Sequence, residues 1–390
     1  MIERRLKQLR LARGLSLEAL AAAMGGVVTK QALSKYETGR ARPSAAVLTK
    51  LAAALGVKSA ALWAEPTVEV RFVAYRKRSA LLKGEQARVE SLVRQSLEER
   101  VRLQELTGQL DGFALPVQSL PVDRLEDVEK AAQDLRSAWS LGLDPVASVV
   151  GVLEDRRTHV LEIEANEKFD GLSAVATKDG EVAAAAVVTR DGVPGERQRL
   201  NLAHELGHLV LKIGSGVDEE RAAFRFGAAF LAPAPSLIPE IGAKRALIHP
   251  EELLVLKQRY GLSVQALLRR LRDLEVITES YYKQWCIDVN RLGWRKREPC
   301  ELPREQPRWL LQSVLRAFSE GLLAKDEAER MLGSSVEMDQ PLTLVERRAF
   351  MRLPLEERRR RLAEQAARME EHYTRDREWE ELEAGDLVGE

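Results

Sequence analysis

Eleven residues, Asn201-Leu-Ala-His-Glu-Leu-Gly-His-Leu-Val-Leu211, restrict this chain more than any other stretch. Apolar or small residues occupy almost the whole helical wheel, so a helix here must be buried. Yet His204, Glu205 and His208 stand in its middle, and buried imidazoles and carboxylates need partners. Residues four apart lie nearly above one another, about 6 Å along the axis, so His204 and His208 leave one face together. Two neutral imidazole nitrogens so placed can grip one metal ion, with Zn²⁺ the usual choice. Glu205, one residue past the first ligand, can lean over an open metal position and take a proton from water. The plainer alternative is a core helix with two hydrogen-bonded histidines. It would place two of the chain's five histidines in this pattern by accident.

A catalytic zinc takes a third protein ligand and leaves a fourth position open. Ten residues after His208, past the turn Gly214-Ser-Gly216, comes Asp218-Glu-Glu-Arg-Ala-Ala-Phe-Arg-Phe-Gly-Ala-Ala-Phe-Leu-Ala-Pro233, an amphipathic helix stopped near its proline. With the His-Glu-Leu-Gly-His helix, this segment resembles the zinc metallopeptidases of the ImmA/IrrE family, which implies a zincin-like α+β fold. The resemblance implies a Glu near the start of the second helix as third ligand. Spacing back from Phe226 puts it on Glu220, with Glu219 as the alternative. A helix N-terminus also favours carboxylates through its dipole alone. Relatives often carry Asn or His where this chain has Phe224.

Overall charge is balanced, 60 basic against 60 acidic residues, but unevenly spread. Residues 1–64 hold eleven Lys/Arg and three Glu, net +8, leaving −8 for the rest. A basic head on an acidic body points to a polyanionic partner. In the head, four or five short helices are predicted: Glu3–Ala12, Leu17–Met24 capped by Ser16, Lys30–Glu37 capped by Thr29, Ala45–Leu55 capped by Ser44, and a last turn reaching Trp63. Leu6, Leu9, Leu20, Leu33, Leu51 and Leu55 recur at helical spacing and form its core. The string Gln31-Ala-Leu-Ser-Lys-Tyr-Glu-Thr-Gly-Arg-Ala-Arg-Pro43 resembles the third helix and following turn of XRE (Cro/C1-type) helix-turn-helix regulators. Lys30, Gln31, Ser34 and Lys35 lie on the outer face of that helix beside its Thr29 cap. Gln can bond adenine twice in a major groove, and Lys can reach guanine or phosphate. Arg40 and Arg42 are placed for phosphates. Gly25-Gly-Val-Val28 makes the preceding turn about two residues longer than in simple repressors.

The expected fold is multidomain and mainly α with an α+β centre. It comprises a helix-turn-helix head (1–64), a strand and long connecting helices (65–144), a peptidase domain with a small mixed sheet (145–290), and a helical, charged C-terminal region (300–390). In the second segment a strand is read over Thr67–Tyr75. A long helix from Gly84 to about Leu110 carries the stripe Val89, Val93, Leu97 and Val101, suited either to dimerisation or to lying on the next domain. Strands are read at Thr158–Ile163, Leu172–Thr177 and Val182–Thr189, the last two joined by an Asp179-Gly180 hairpin. Arg197, Arg199 and His159 are considered for steadying an oxyanion. Pro299, Pro303 and Pro307 suggest a linker, followed by helices Trp309–Ser319 and Lys325–Leu332. A Glu/Arg-laced helix from Leu344 to Met369 precedes an acidic end. That tail weakly resembles short bacterial antitoxin-type proteins.

Two cysteines make no disulfide framework, and no apolar run nears the ~20 residues that cross a bilayer. The opening Met-Ile-Glu-Arg-Arg is no secretory signal, so a cytoplasmic location is expected. The resemblances imply a transcriptional regulator on double-stranded operator DNA, expected as a homodimer, and a zinc-dependent endopeptidase cleaving a partner repressor or antitoxin. The alternative is an antitoxin-type regulator that binds DNA and a toxin, with a non-catalytic metal site.

Overall fold

The computed structural model describes residues 2–74, 83–110, 116–167, 169, 171–336 and 350–363. The chain divides into two compact units, Met1–Leu332 and Gly333–Glu390. The first is mainly helical around an α+β centre.

The basic head is helices α1 (Ile2–Ala12), α2 (Leu17–Ala23), α3 (Lys30–Glu37) and α4 (Ala45–Ala54), closed by a 3₁₀ turn at Ser59–Leu62. Ser16, Thr29 and Ser44 each accept a backbone N–H from the first turn of the following helix, satisfying donors that the helix cannot satisfy itself. Leu6, Leu9, Leu20, Leu33, Leu51 and Leu55 form the core. Arg10 joins α1 to α3 through a two-pronged pairing with Glu37, at 2.6 and 2.8 Å.

A four-stranded mixed sheet has the order β1 (Glu69–Ala74), β4, β5, β3. Strands β3 (Thr158–Ile163) and β5 (Glu181–Arg190) run parallel, while β4 (Gly171–Lys178) is antiparallel to both β1 and β5. Asp179 and Gly180 turn the β4–β5 hairpin with φ of 52° and 87°, the left-handed pair that such a two-residue loop requires. Alternation along the strands gives the sheet two apolar faces. On one face α5 (Lys83–Leu106) lays Val89, Val93, Leu97 and Val101 against Ala174, Ala176, Ala184 and Ala186. The small alanines let the helix sit close. Its stripe is therefore spent on the sheet, which decides between the two uses read from the sequence. The far side of α5 meets α1, where Arg5 Nη1 reaches Glu98 Oε2 at 2.5 Å.

On the other face lie α6 (Asp127–Ala138), α7 (Val149–Glu154), α8 (Gly195–Val210) and α9 (Glu219–Leu231). Strand β2 (Leu120–Val122) pairs in parallel with β6 (Leu211–Ile213), which continues directly from α8. Helices α10 (Ala234–Ile241), α11 (Pro250–Tyr260), α12 (Val264–Asp273) and α13 (Glu279–Arg291) complete this layer, and α14 (Trp309–Ser319) and α15 (Lys325–Leu332) follow.

The proline-marked stretch near residue 300 is not a spacer. Glu196 accepts from Leu302 N and from Lys257 Nζ, and Glu298 accepts from Lys257 Nζ and Val264 N. Gln198 bonds both the N–H and the carbonyl of Glu305, whose carboxylate takes Arg199, Ser148 Oγ and Val150 N. The segment is a strap stitched across the start of α8. In the second unit, residues 355–363 are helical, with Arg360 and Arg361 on Glu357. The rest of the charged helix and acidic end read from the sequence, residues 344–349 and 364–390, lies outside the described residues.

Lys257 is fully buried between two nearly buried carboxylates. Removing one partner of such a cluster strands the others' charge, so Lys257→Ala should cost about 3–5 kcal/mol in denaturant unfolding. A loss below about 1 kcal/mol would show that the triad does not hold the strap.

Candidate metal centre and nucleic-acid face

Helices α8 and α9 cross at unusually short range. A Cβ at Gly227 would stand 3.0 Å from the backbone nitrogen of His204, so only glycine permits this approach. The back of α9 is anchored by Arg225, whose Nε donates to Glu129 of α6. Glu129 also receives a two-pronged bond from Arg270 of α12, at 2.6 and 2.7 Å. Asp218 caps α9 by accepting from Arg221 N. The first turn of α9 therefore lies over the two imidazoles.

There, His204 Nε2 and His208 Nε2 are 3.2 Å apart. Glu220 places one carboxylate oxygen 3.6 Å from His204 Nε2 and the other 3.6 Å from His208 Nε2. The three donors lie within 4.8 Å of one another. Two ligand atoms at ordinary zinc distances and tetrahedral angles stand about 3.3 Å apart, so this donor set fits one Zn²⁺. Glu219 goes elsewhere: its Oε1 is 3.3 Å from Nδ1 of His208, the nitrogen turned away from the cluster. The two adjacent acids thus face different atoms, Glu220 both Nε2 nitrogens and Glu219 the far nitrogen of His208, where a carboxylate behind a metal-bound histidine would orient the ring. Burial disfavours charge on His208, but Glu219 and the nearby Glu205 and Glu220 outweigh it and raise its pKa above the ordinary value. The cluster is built for positive charge.

Glu205 is almost fully buried. Ser173 Oγ on β4 donates to its Oε2 at 2.9 Å. A Cβ at Gly171 would fall 2.7 Å from its Oε1. The start of β4 is therefore a cradle for this carboxylate. Sequence reading missed Ser173, although one signal was present: a hydroxyl between Leu172 and Ala174 in a buried run must bond to something. The ring of Phe224 rests 4.1 Å from that of His204, an apolar contact at the edge of the cluster.

Of the residues considered for an oxyanion role, His159 and Arg199 are engaged away from the cluster. His159 belongs to the α5 face of the sheet, opposite α8, with its ring 4.3 Å from Trp309. Burial pushes its pKa well down, helped by Arg100 and Arg157. Arg199 is held by Glu305 and the carbonyls of Val146 and Ala147, and Arg197 is exposed near the start of α8.

In the head, Thr29, Lys30, Gln31, Ser34, Lys35, Arg40 and Arg42 are all exposed. The four from α3 share its outer face, and Lys30 Nζ pairs at 2.5 Å with the exposed Glu18. Gly25 and Gly26, both with φ near 70°, form the lengthened turn before α3. Docking on α5 uses α1 and leaves α3 free.

Two family models match the chain. Residues 6–62 match the helix-turn-helix family model, and residues 181–272 match that of the IrrE N-terminal-like domain of metallopeptidases. The second span contains His204, Glu205, His208 and Glu220, while Ser173 lies before it. No match was found among curated proteins. No helix among the described residues is long and apolar enough to cross a membrane.

Chelator competition on single variants should separate the two acids. Glu219→Ala should loosen zinc about 10–100-fold, as loss of an orienting carboxylate does, and Glu220→Ala should loosen it more. The reverse order would exchange their roles.

Proposed function

We propose that this union of an XRE-type helix-turn-helix head with an ImmA/IrrE-like peptidase domain is a DNA-binding transcriptional regulator that is also a zinc-dependent endopeptidase. The observation that carries the reading is the convergence of His204, His208 and Glu220 beside a buried Glu205 held by a strand serine. His204, His208 and Glu220 would hold Zn²⁺, which when bound polarises a scissile carbonyl and makes water more acidic. Glu205 takes a proton from the attacking water and delivers it to the departing amine nitrogen. Ser173 keeps that carboxylate in one rotamer through both transfers. A purely structural metal site has no use for Glu205 or for the cradle around it.

Edge strand β1 ends beside the cradle, with Ala74 the register partner of Ser173. An extended substrate backbone can add to such an edge. The substrate proposed is a partner protein, a repressor or an antitoxin, whose cleavage turns a stress or phage-like signal into transcription. Lys30, Gln31, Ser34 and Lys35 would meet base edges of the operator, with Thr29, Arg40 and Arg42 near phosphates and two copies on two half-sites. Tethering the peptidase to a DNA reader raises its concentration at one promoter.

Glu205→Gln should retain zinc by metal analysis yet process a co-expressed neighbouring gene product about 10²–10⁴-fold more slowly. Equal processing by variant and wild type would instead favour a regulator that binds DNA and a toxin around a non-catalytic metal.

Titration of operator DNA should show a different pattern for the head. Gln31→Ala should cost about 1–3 kcal/mol on one sequence, whereas Arg42→Ala should weaken all sequences and reduce the salt slope by about one. Unchanged affinity in both would remove α3 and its following turn from the interface.

A further inference from the structure

Phe224 lies one turn after Glu220 on α9 and so points along the same face. Its ring centroid is 4.1 Å from that of His204, and Arg269 Cζ of α12 stands over the same ring, 5.3 Å from its centroid. The arginines around Arg269 are committed elsewhere. Arg225 and Arg270 share Glu129, and Arg272 pairs with Asp273 and Glu279. Among the described residues, no carboxylate lies within ion-pair distance of Arg269.

A guanidinium stacked on an aromatic ring uses its flat face and keeps its N–H donors free in the plane. Those donors match the fork of a carboxylate. Phe224 therefore acts as a platform that holds this cation on the same ring that touches His204. The opposite end of the α9 face, at Asp218, Glu219 and Glu220, is acidic. A peptide lying along α9 meets negative charge at the start of the helix and positive charge beside Phe224.

We propose that Arg269 is a specificity-determining residue of this site and receives an Asp or Glu side chain of the substrate within a few residues of the cleaved bond. The proposal rests on the proteolytic reading above. It gives a purpose to Phe224: an aromatic ring beside His204 places Arg269 near the imidazole pair.

The test uses the full-length, zinc-loaded protein and a synthetic peptide library randomised around a central core, with cleavage sites read by mass spectrometry. Matched fluorogenic peptides carrying Asp, Asn or Lys at the selected position then give kcat/KM. The wild type should enrich acidic residues at one position and prefer Asp over Asn about tenfold. R269Q should flatten that preference, and R269E should turn it towards Lys, with zinc content and melting temperature unchanged. A loss of packing alone would slow all three peptides equally and would overturn the proposal. So would a wild-type profile without acidic preference, or an R269E profile equal to that of the wild type; in both cases proteolysis itself would stand. A zinc-loaded wild type that cuts no peptide would remove the proteolytic reading and this inference with it.

Discussion

The close crossing of α8 and α9 is what the rest of the molecule depends on. At Gly227 the second helix comes within a hydrogen atom's room of the backbone of His204. That approach lets a carboxylate in the first turn of α9 reach imidazoles in the middle of α8. It also brings the buried Glu205 and the more exposed Glu219 and Glu220 around two buried histidines. Against the effect of its burial, these carboxylates raise the pKa of His208 above its ordinary value. The Arg225–Glu129–Arg270 anchor and the covering layer of α10 to α13 keep the crossing rigid.

Local signals carried far. Lys30–Glu37, Thr158–Ile163, Trp309–Ser319 and Lys325–Leu332 have the same boundaries in sequence and structure. Each is bounded by a cap, a turn or a proline, and such signals act over a few residues. The His-Glu-x-x-His pair was legible for the same reason, since helical spacing alone brings it together. Long-range partners were not. Nothing near Ser173 announces that a residue 32 positions later will sit against it. Three prolines around residue 300 read as a loose connection because the polar groups that pin the strap come from Glu196, Gln198, Arg199 and Lys257. The stripe on α5 was compatible with a second copy until Ala174, Ala176, Ala184 and Ala186 supplied a surface of matching depth.

The helix-turn-helix head and the metal cluster share one compact unit, with α5 packed between the head and the sheet. The head turns α1 inward, with Arg5 on Glu98, while α3 faces out. Reading and docking therefore use different surfaces, and a nucleic acid on α3 displaces nothing that holds the sheet. The helix bearing the docking site on one side covers, on its other side, the strand that cradles Glu205.

The strap also sets where this protein can be cut. Its family-like span ends at residue 272, which invites excision of a smaller catalytic piece. A fragment stopped before Glu298 would leave Lys257 with only half its counter-charge. It would also strip Glu305 from Arg199 and both backbone bonds from Gln198. All three weakened groups lie along the first turns of the histidine-bearing helix or against them. The smallest autonomous version of this enzyme-like body thus extends beyond its recognisable motif, through residues whose own sequence advertises nothing but a loose end.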